Sequence, residues 1–151
     1  MAKYQIETLL AAYKEKFDRD NFIKSLLMDN LLLVDIFDRS KKLHVELEAK
    51  RVAYLVELQK KNQDDAIGTI KNLFLDSQDF VTALDKKNIV VIKQLEEKTT
   101  ESDLEKIAMK IVSALRSDIG EEPIIAYGMT VDDLKDVSKS FKEAKMAQEV
   151  G

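Results

Sequence analysis

Four adjacent pairs of carboxylates, Asp64–Asp65, Glu96–Glu97, Glu121–Glu122 and Asp132–Asp133, are the side chains whose types suit a hard divalent cation. None has the Asp/Asn/Gly spacing of a calcium loop. Each lies beside a helix start or in a loop, where the helix dipole favours an acid or water solvates it, so they are read as caps and solvated residues. His44 is the one histidine and there is no cysteine, which leaves no His/Cys metal cluster, no Ser-His-Asp triad and no thiolate nucleophile. His44 is expected in a loop or on the surface. Lys139, Lys142 and Lys145 recur every third residue, but such a strip neutralises too few phosphates to hold DNA at physiological salt, and Glu143 and Glu149 dilute it. No catalytic, cofactor-binding or metal-ligating residue is assigned, and no cofactor is expected.

The whole composition agrees with that restraint. Lys plus Arg at 24 against Asp plus Glu at 28 gives a net charge of −4 with both signs interleaved, a solubility signature that argues against a polyanion partner. A chain of 151 residues suits one domain and buries ~69% of its unfolded surface, enough for a core without disulfides. Absent cysteine suits a reducing compartment, no apolar run approaches the ~18 residues of a membrane span, and the start MAKYQIETLL lacks a secretory core. A cytoplasmic protein with no membrane partner is the expectation.

Hydrophobic spacing places the elements. Ile6, Leu9, Leu10, Tyr13 and Phe17 recur as one helical stripe. Asp18, Asp20 and Asn21 suggest a break and N-cap, after which Phe22, Ile23, Leu26 and Leu27 carry a second helix to about Asn30, and Asp35 begins a third to about Leu43. From Arg51 the texture changes. Arg51 to Gln59 is β-branched, aromatic and nearly continuous in hydrophobicity, as a central strand should be. A helix follows with Ile67, Ile70, Leu73 and Phe74 on one face. Asp79 to Leu84 and Asn88 to Leu95 read as a hairpin around Asp85-Lys86-Lys87-Asn88. Thr99, Thr100 and Ser102 are N-cap candidates, Ser102 and Glu105 in capping-box spacing, for a helix carrying Leu104, Ile107, Ala108, Ile111, Val112 and Leu115 that Gly120 and Pro123 end. Pro123 to Met129 is a short strand, and Thr130 with Asp133 opens a last helix carrying Leu134, Val137, Phe141 and Ala144.

The order is three helices, then βαββαβ and a final helix. That is the split βαβ arrangement, so the fold class is α+β: an N-terminal helical segment, residues 1–45, then a ferredoxin-like module, residues 46–151, with a mainly antiparallel sheet and both crossover helices on one face. A short helix is marginal in water unless its apolar face is covered. The stripe Ile6, Leu9, Leu10, Tyr13 and Phe17 therefore lies on the module's own sheet or forms a homodimer contact.

The runs RDNFIKSLLMDNLLLVDIFDRSKKLHVELEAKRVAYLVEL, LDKKNIVVIKQL, LEKIAMKIVSAL and, most specifically, DDLKDVSKSFKEAKMAQEVG resemble the central region of the CdaR/PucR family of bacterial transcriptional regulators, of the sugar diacid utilization type, across essentially the whole chain. The resemblance implies a divergent GGDEF-like domain between an upstream sensor and a downstream helix-turn-helix, both outside this chain. DNA would then be bound through that missing domain alone, and a small-molecule effector of unknown identity by the regulator as a whole. Active relatives, the diguanylate cyclases, hold metals with acids at the end of the first strand and in a glycine-bearing hairpin. Here the hairpin reads Leu84-Asp85-Lys86-Lys87-Asn88-Ile89 without glycine, and the first strand ends with Glu57 alone where the pattern wants paired Asp. The expectation is a non-enzymatic regulatory and dimerisation module. The alternative is a nucleotide-binding or nucleotide-processing enzyme with a residual GGDEF-type site.

Overall fold

Ala2 begins a helix that does not stop until Leu27. In the computed structural model, which describes residues 2–60, 63–74 and 78–150, and of 2–8, 12–13 and 15–16 the backbone alone, residues 2–27 form one helix, α1, followed by α2 (Leu33–Lys42). The break expected at Asp18 to Asn21 is absent, so two of the three expected helices are one. An interior Asp or Asn costs only ~0.7 kcal/mol of propensity, and no Gly or Pro interrupts the turn. Just beyond it Phe22, Ile23, Leu26 and Leu27 are all buried, each contributing ~1.5–3 kcal/mol of transfer free energy that outweighs the misfit. Both helices end in a left-handed residue other than glycine, Asp29 and His44, each with φ 59°. His44 is exposed in the link to the sheet, as expected.

The strands are β1 (Glu48–Glu57), β2 (Phe80–Ala83), β3 (Asn88–Gln94), β4 (Ile124–Tyr127) and β5 (Val131–Asp133), with α3 (Gln63–Leu73), α4 (Glu101–Ile119) and α5 (Val137–Val150) between or after them. The sheet runs β2-β3-β1-β4, β5 also pairs with β1, and every pairing is antiparallel. This is the expected α+β, ferredoxin-like arrangement with β1 in the centre. β1 starts three residues before Arg51, because β5 pairs with its opening half, with a register shift between Glu48 and Arg51. Of Thr130 to Asp133, expected to open the last helix, Val131 to Asp133 instead form β5. Asp133 then accepts from Lys135 N at 3.1 Å to cap a single 3-10 turn, Leu134–Asp136, before α5.

Alternation along β1 divides the core. Val52, Tyr54, Val56 and Leu58 face α3 and α4, packing with Ala66, Ile70, Leu104, Ile111 and Leu115. Ala53 and Leu55 face the opposite way, into a cluster built from the second half of α1, from α2 and from α5. Here α5 comes very close to the sheet. Ala53 N donates to Ser140 Oγ at 2.9 Å, and a Cβ on Gly128 would lie 1.9 Å from the Ser140 carbonyl oxygen, so only glycine fits. The capping box of α4 is Thr100 with Asp103, two residues earlier than Ser102 with Glu105, and the shorter acid reaches back to Thr100 N at 2.9 Å. Gly120 ends α4 in the left-handed conformation with φ 64°, as its position suggested. Among the described residues no helix is long and apolar enough to cross a membrane.

Candidate functional site

The end of β1, the β2–β3 turn, the start of α3 and the link from α4 to β4 meet at one end of the sheet. Leu58 N donates to the Lys87 carbonyl at 2.7 Å, and Gln63, the first residue of α3, donates through Nε2 to the Asp85 carbonyl. Asp85 is the one acid of the hairpin turn, and its carboxylate is occupied by the turn itself. Lys87 N and Asn88 N donate to Oδ1 at 2.9 Å each, and Asn88 Nδ2 contacts both oxygens at 3.0 Å. The Lys87 amide, with the Asn88 donors and the Lys87 charge behind it, holds the Asp85 carboxyl below the usual carboxylate range. Lys86 and Lys87 are exposed beside it. Glu57 closes β1 opposite Asn88 and Ile124, half-buried, on the same side of the strand as Ala53 and Leu55. Among the described residues no three acids or histidines are grouped as a metal would need.

Glu121 departs from its sequence reading. Expected in a solvated loop, it is fully buried, and its carboxylate receives Gln59 N at 2.6 Å on Oε1 and Lys60 N at 3.1 Å on each oxygen. Gly120 aims it: the left-handed residue turns the chain back at the end of α4, with Gly120 N and Glu121 N donating to the Arg116 and Leu115 carbonyls. Its neighbour Glu122 behaves as a surface acid, paired with Arg116 at 2.8 Å. Of the other pairs, Asp64 and Asp65 sit exposed in the first turn of α3, and Glu96 and Glu97 are exposed.

Residues 30–150 match the family model of the GGDEF-like domain, a stretch that takes in α2 and every strand. The chain belongs to the GGDEF-like domain family. No curated protein matches it. Within this GGDEF-like domain the strand-end acid named from the sequence, Glu57, closes β1, and Asp85 of the hairpin builds its own turn.

The stripe on α1 is the second candidate. Leu9, Leu10 and Phe17 are 59%, 63% and 66% exposed, and the side chains of Ile6 and Tyr13 lie outside the described residues. The three that are described are thus open to solvent over more than half of their surface. A neighbouring patch, Met28, Leu32, Leu33, Val34 and Phe37, is also exposed around the start of α2. Of the lysine strip, Lys139 pairs with Asp136 at 3.2 Å and Lys142 with Asp29 at 3.6 Å, a solvated face.

Arg51 is the buried cation that the strand reading concealed. Its Nη2 donates to the Glu46 carbonyl at 2.6 Å, while Nε and Nη1 have no hydrogen-bond partner. Burial lowers its pKa from the usual value, against the pull of Glu46, Asp133 and Asp79. Its place at the head of an apolar run gave no signal of burial, since a charged residue there reads as a strand end.

Proposed function

We propose that this GGDEF-like domain is a non-catalytic regulatory and dimerisation module of a bacterial transcriptional regulator of the CdaR/PucR type, passing a signal from a sensor domain to a C-terminal helix-turn-helix domain. The observation that carries the reading is the division of α1: Phe22, Ile23, Leu26 and Leu27 are buried in the module, whereas Leu9, Leu10 and Phe17 on the same helix are exposed. An apolar stripe left open on a helix suits a second copy, and a two-fold operator asks a regulator for two copies. The non-catalytic half rests on the hairpin, where the carboxylate of Asp85 is consumed by its own turn and is followed by two lysines, Lys86 and Lys87.

Light scattering tests the dimer. The domain should have about twice the 17.2 kDa monomer mass, and the triple substitution Leu9→Lys, Leu10→Lys, Phe17→Lys should halve it while leaving the strand content unchanged. A monomeric parent at tens of micromolar, or a dimeric variant, would remove the stripe from the reading. GTP with magnesium should leave the melting temperature unchanged, because a ligand at 100 times its dissociation constant adds ~2.7 kcal/mol and would be visible.

A further inference from the structure

We infer that Glu121 is an internal anion: it fills the paired amides of Gln59 and Lys60 from within the chain and closes this end of β1 to carboxylates and phosphates from outside. Two successive peptide N–H groups aimed at one point make a concavity that favours negative charge. Here the charge is supplied in cis, with the short 2.6 Å contact from Gln59 N that a charge-assisted hydrogen bond produces. The carboxylate is fully buried, and among the described residues no lysine or arginine makes an ion pair with it. The ammonium of Lys60, whose own amide binds Glu121, is directed elsewhere, Lys60 Nζ donating to the Gly120 carbonyl at 2.9 Å. Peptide dipoles therefore carry most of the compensation, and a buried carboxylate persists only where such donors are in place.

The arrangement is built from both sides. Gly120 adopts φ 64°, which other residues reach at a cost, and this turn delivers Glu121 to a strand end some 60 residues away in sequence. The Lys60–Gly120 contact ties the same two loops a second time. An external anion could reach these amides only by displacing Glu121, so the contact acts as a plug built into the chain. This inference is independent of the regulatory reading and of the dimer.

Amide hydrogen exchange on the whole domain tests it first. Gln59 and Lys60 should be protected in the parent and exchange ~10-fold faster or more in Glu121→Gln, which keeps an acceptor but loses the charge. Unprotected amides in the parent overturn the inference. Glu121→Ala empties the space, so sodium formate should raise its melting temperature over sodium chloride at equal ionic strength and leave the parent unmoved, with inorganic phosphate as a second probe. A formate shift equal in both proteins, or a Glu121→Ala variant as stable as the parent and blind to formate, also overturns it. Should Glu121→Ala fail to fold, the exchange rates in Glu121→Gln decide.

Discussion

On the face covered by α3 and α4, β1 buries Tyr54, whose hydroxyl donates to the Leu104 carbonyl at 2.8 Å; on the face covered by α1 and α5, it buries Arg51 with Nε and Nη1 unpartnered. The two residues are three apart on one strand, yet their surroundings are finished to different degrees. The first face is closed by the two crossover helices of the βαββαβ unit, which chain connectivity delivers to it. The second is closed by helices from opposite ends of the chain, meeting on a surface narrowed by Ala53, Gly128 and Ser140. Local connection satisfies the polar group of one face, and long-range docking leaves a cation incompletely paired on the other.

The glycines separate the faces most sharply. Gly128→Ala would drive its Cβ into the Ser140 backbone, lifting α5 from the sheet, and should cost ~3 kcal/mol or more in urea unfolding. Gly68→Ala, in α3 with nothing within 4 Å of the new Cβ, should instead stabilise by ~0.5–1 kcal/mol. Equal effects at the two positions would erase the asymmetry. The buried polar groups come next. Tyr54→Phe should cost about 1 kcal/mol, the net value of one satisfied hydrogen bond. Arg51→Met should be neutral or stabilising, because the lost charge was incompletely compensated. A loss of ~3 kcal/mol or more on Arg51→Met would mean that the guanidinium is fully satisfied in solution.

The smallest effect is a pH dependence on the α3/α4 side. Tyr127 packs against Tyr54 at 5.4 Å between ring centroids and donates to Glu101 Oε1 at 2.8 Å. Burial first, then the Glu101 carboxylate, push its phenol up from 10.0 to about 12. The stability gained by keeping the phenol protonated is complete below pH 10 and is lost as the pH rises through about 12. Tyrosinate absorbance should show that late step, and Tyr127→Phe should remove it and flatten the alkaline loss of stability.

The fold was legible where local pattern and global topology agree. The periodicity of α4, the hairpin around Asp85 and the stop at Gly120 all survive in the structure. The sequence misled where a local signal was outweighed by burial or pairing that it does not encode. Asp18 to Asn21 reads as a cap, but the buried Phe22 and Ile23 hold the helix through it. Thr130 to Asp133 has the spacing of a helix start, but β1 captures Val131 to Asp133 as a strand. Glu121 was unreadable for the same reason: an acid after a helix looks solvated, and its burial depends on amides 61 and 62 residues away. The burial of Arg51 likewise depends on neighbours far off in sequence, since β1 pairs it with Gln94 of β3 and Val131 of β5.

β2 and β4, at the two margins of the sheet, have four residues each, and β5 beside β1 has three. Arg19 of α1 adds a guanidinium over the Phe80 ring at 4.9 Å, placing charge against the β2 margin. Short, guarded margins are poor templates for strand addition, so this sheet resists end-to-end pairing into fibrils. The domain can thus carry exposed apolar side chains on its helices without an equally open route to cross-β aggregation.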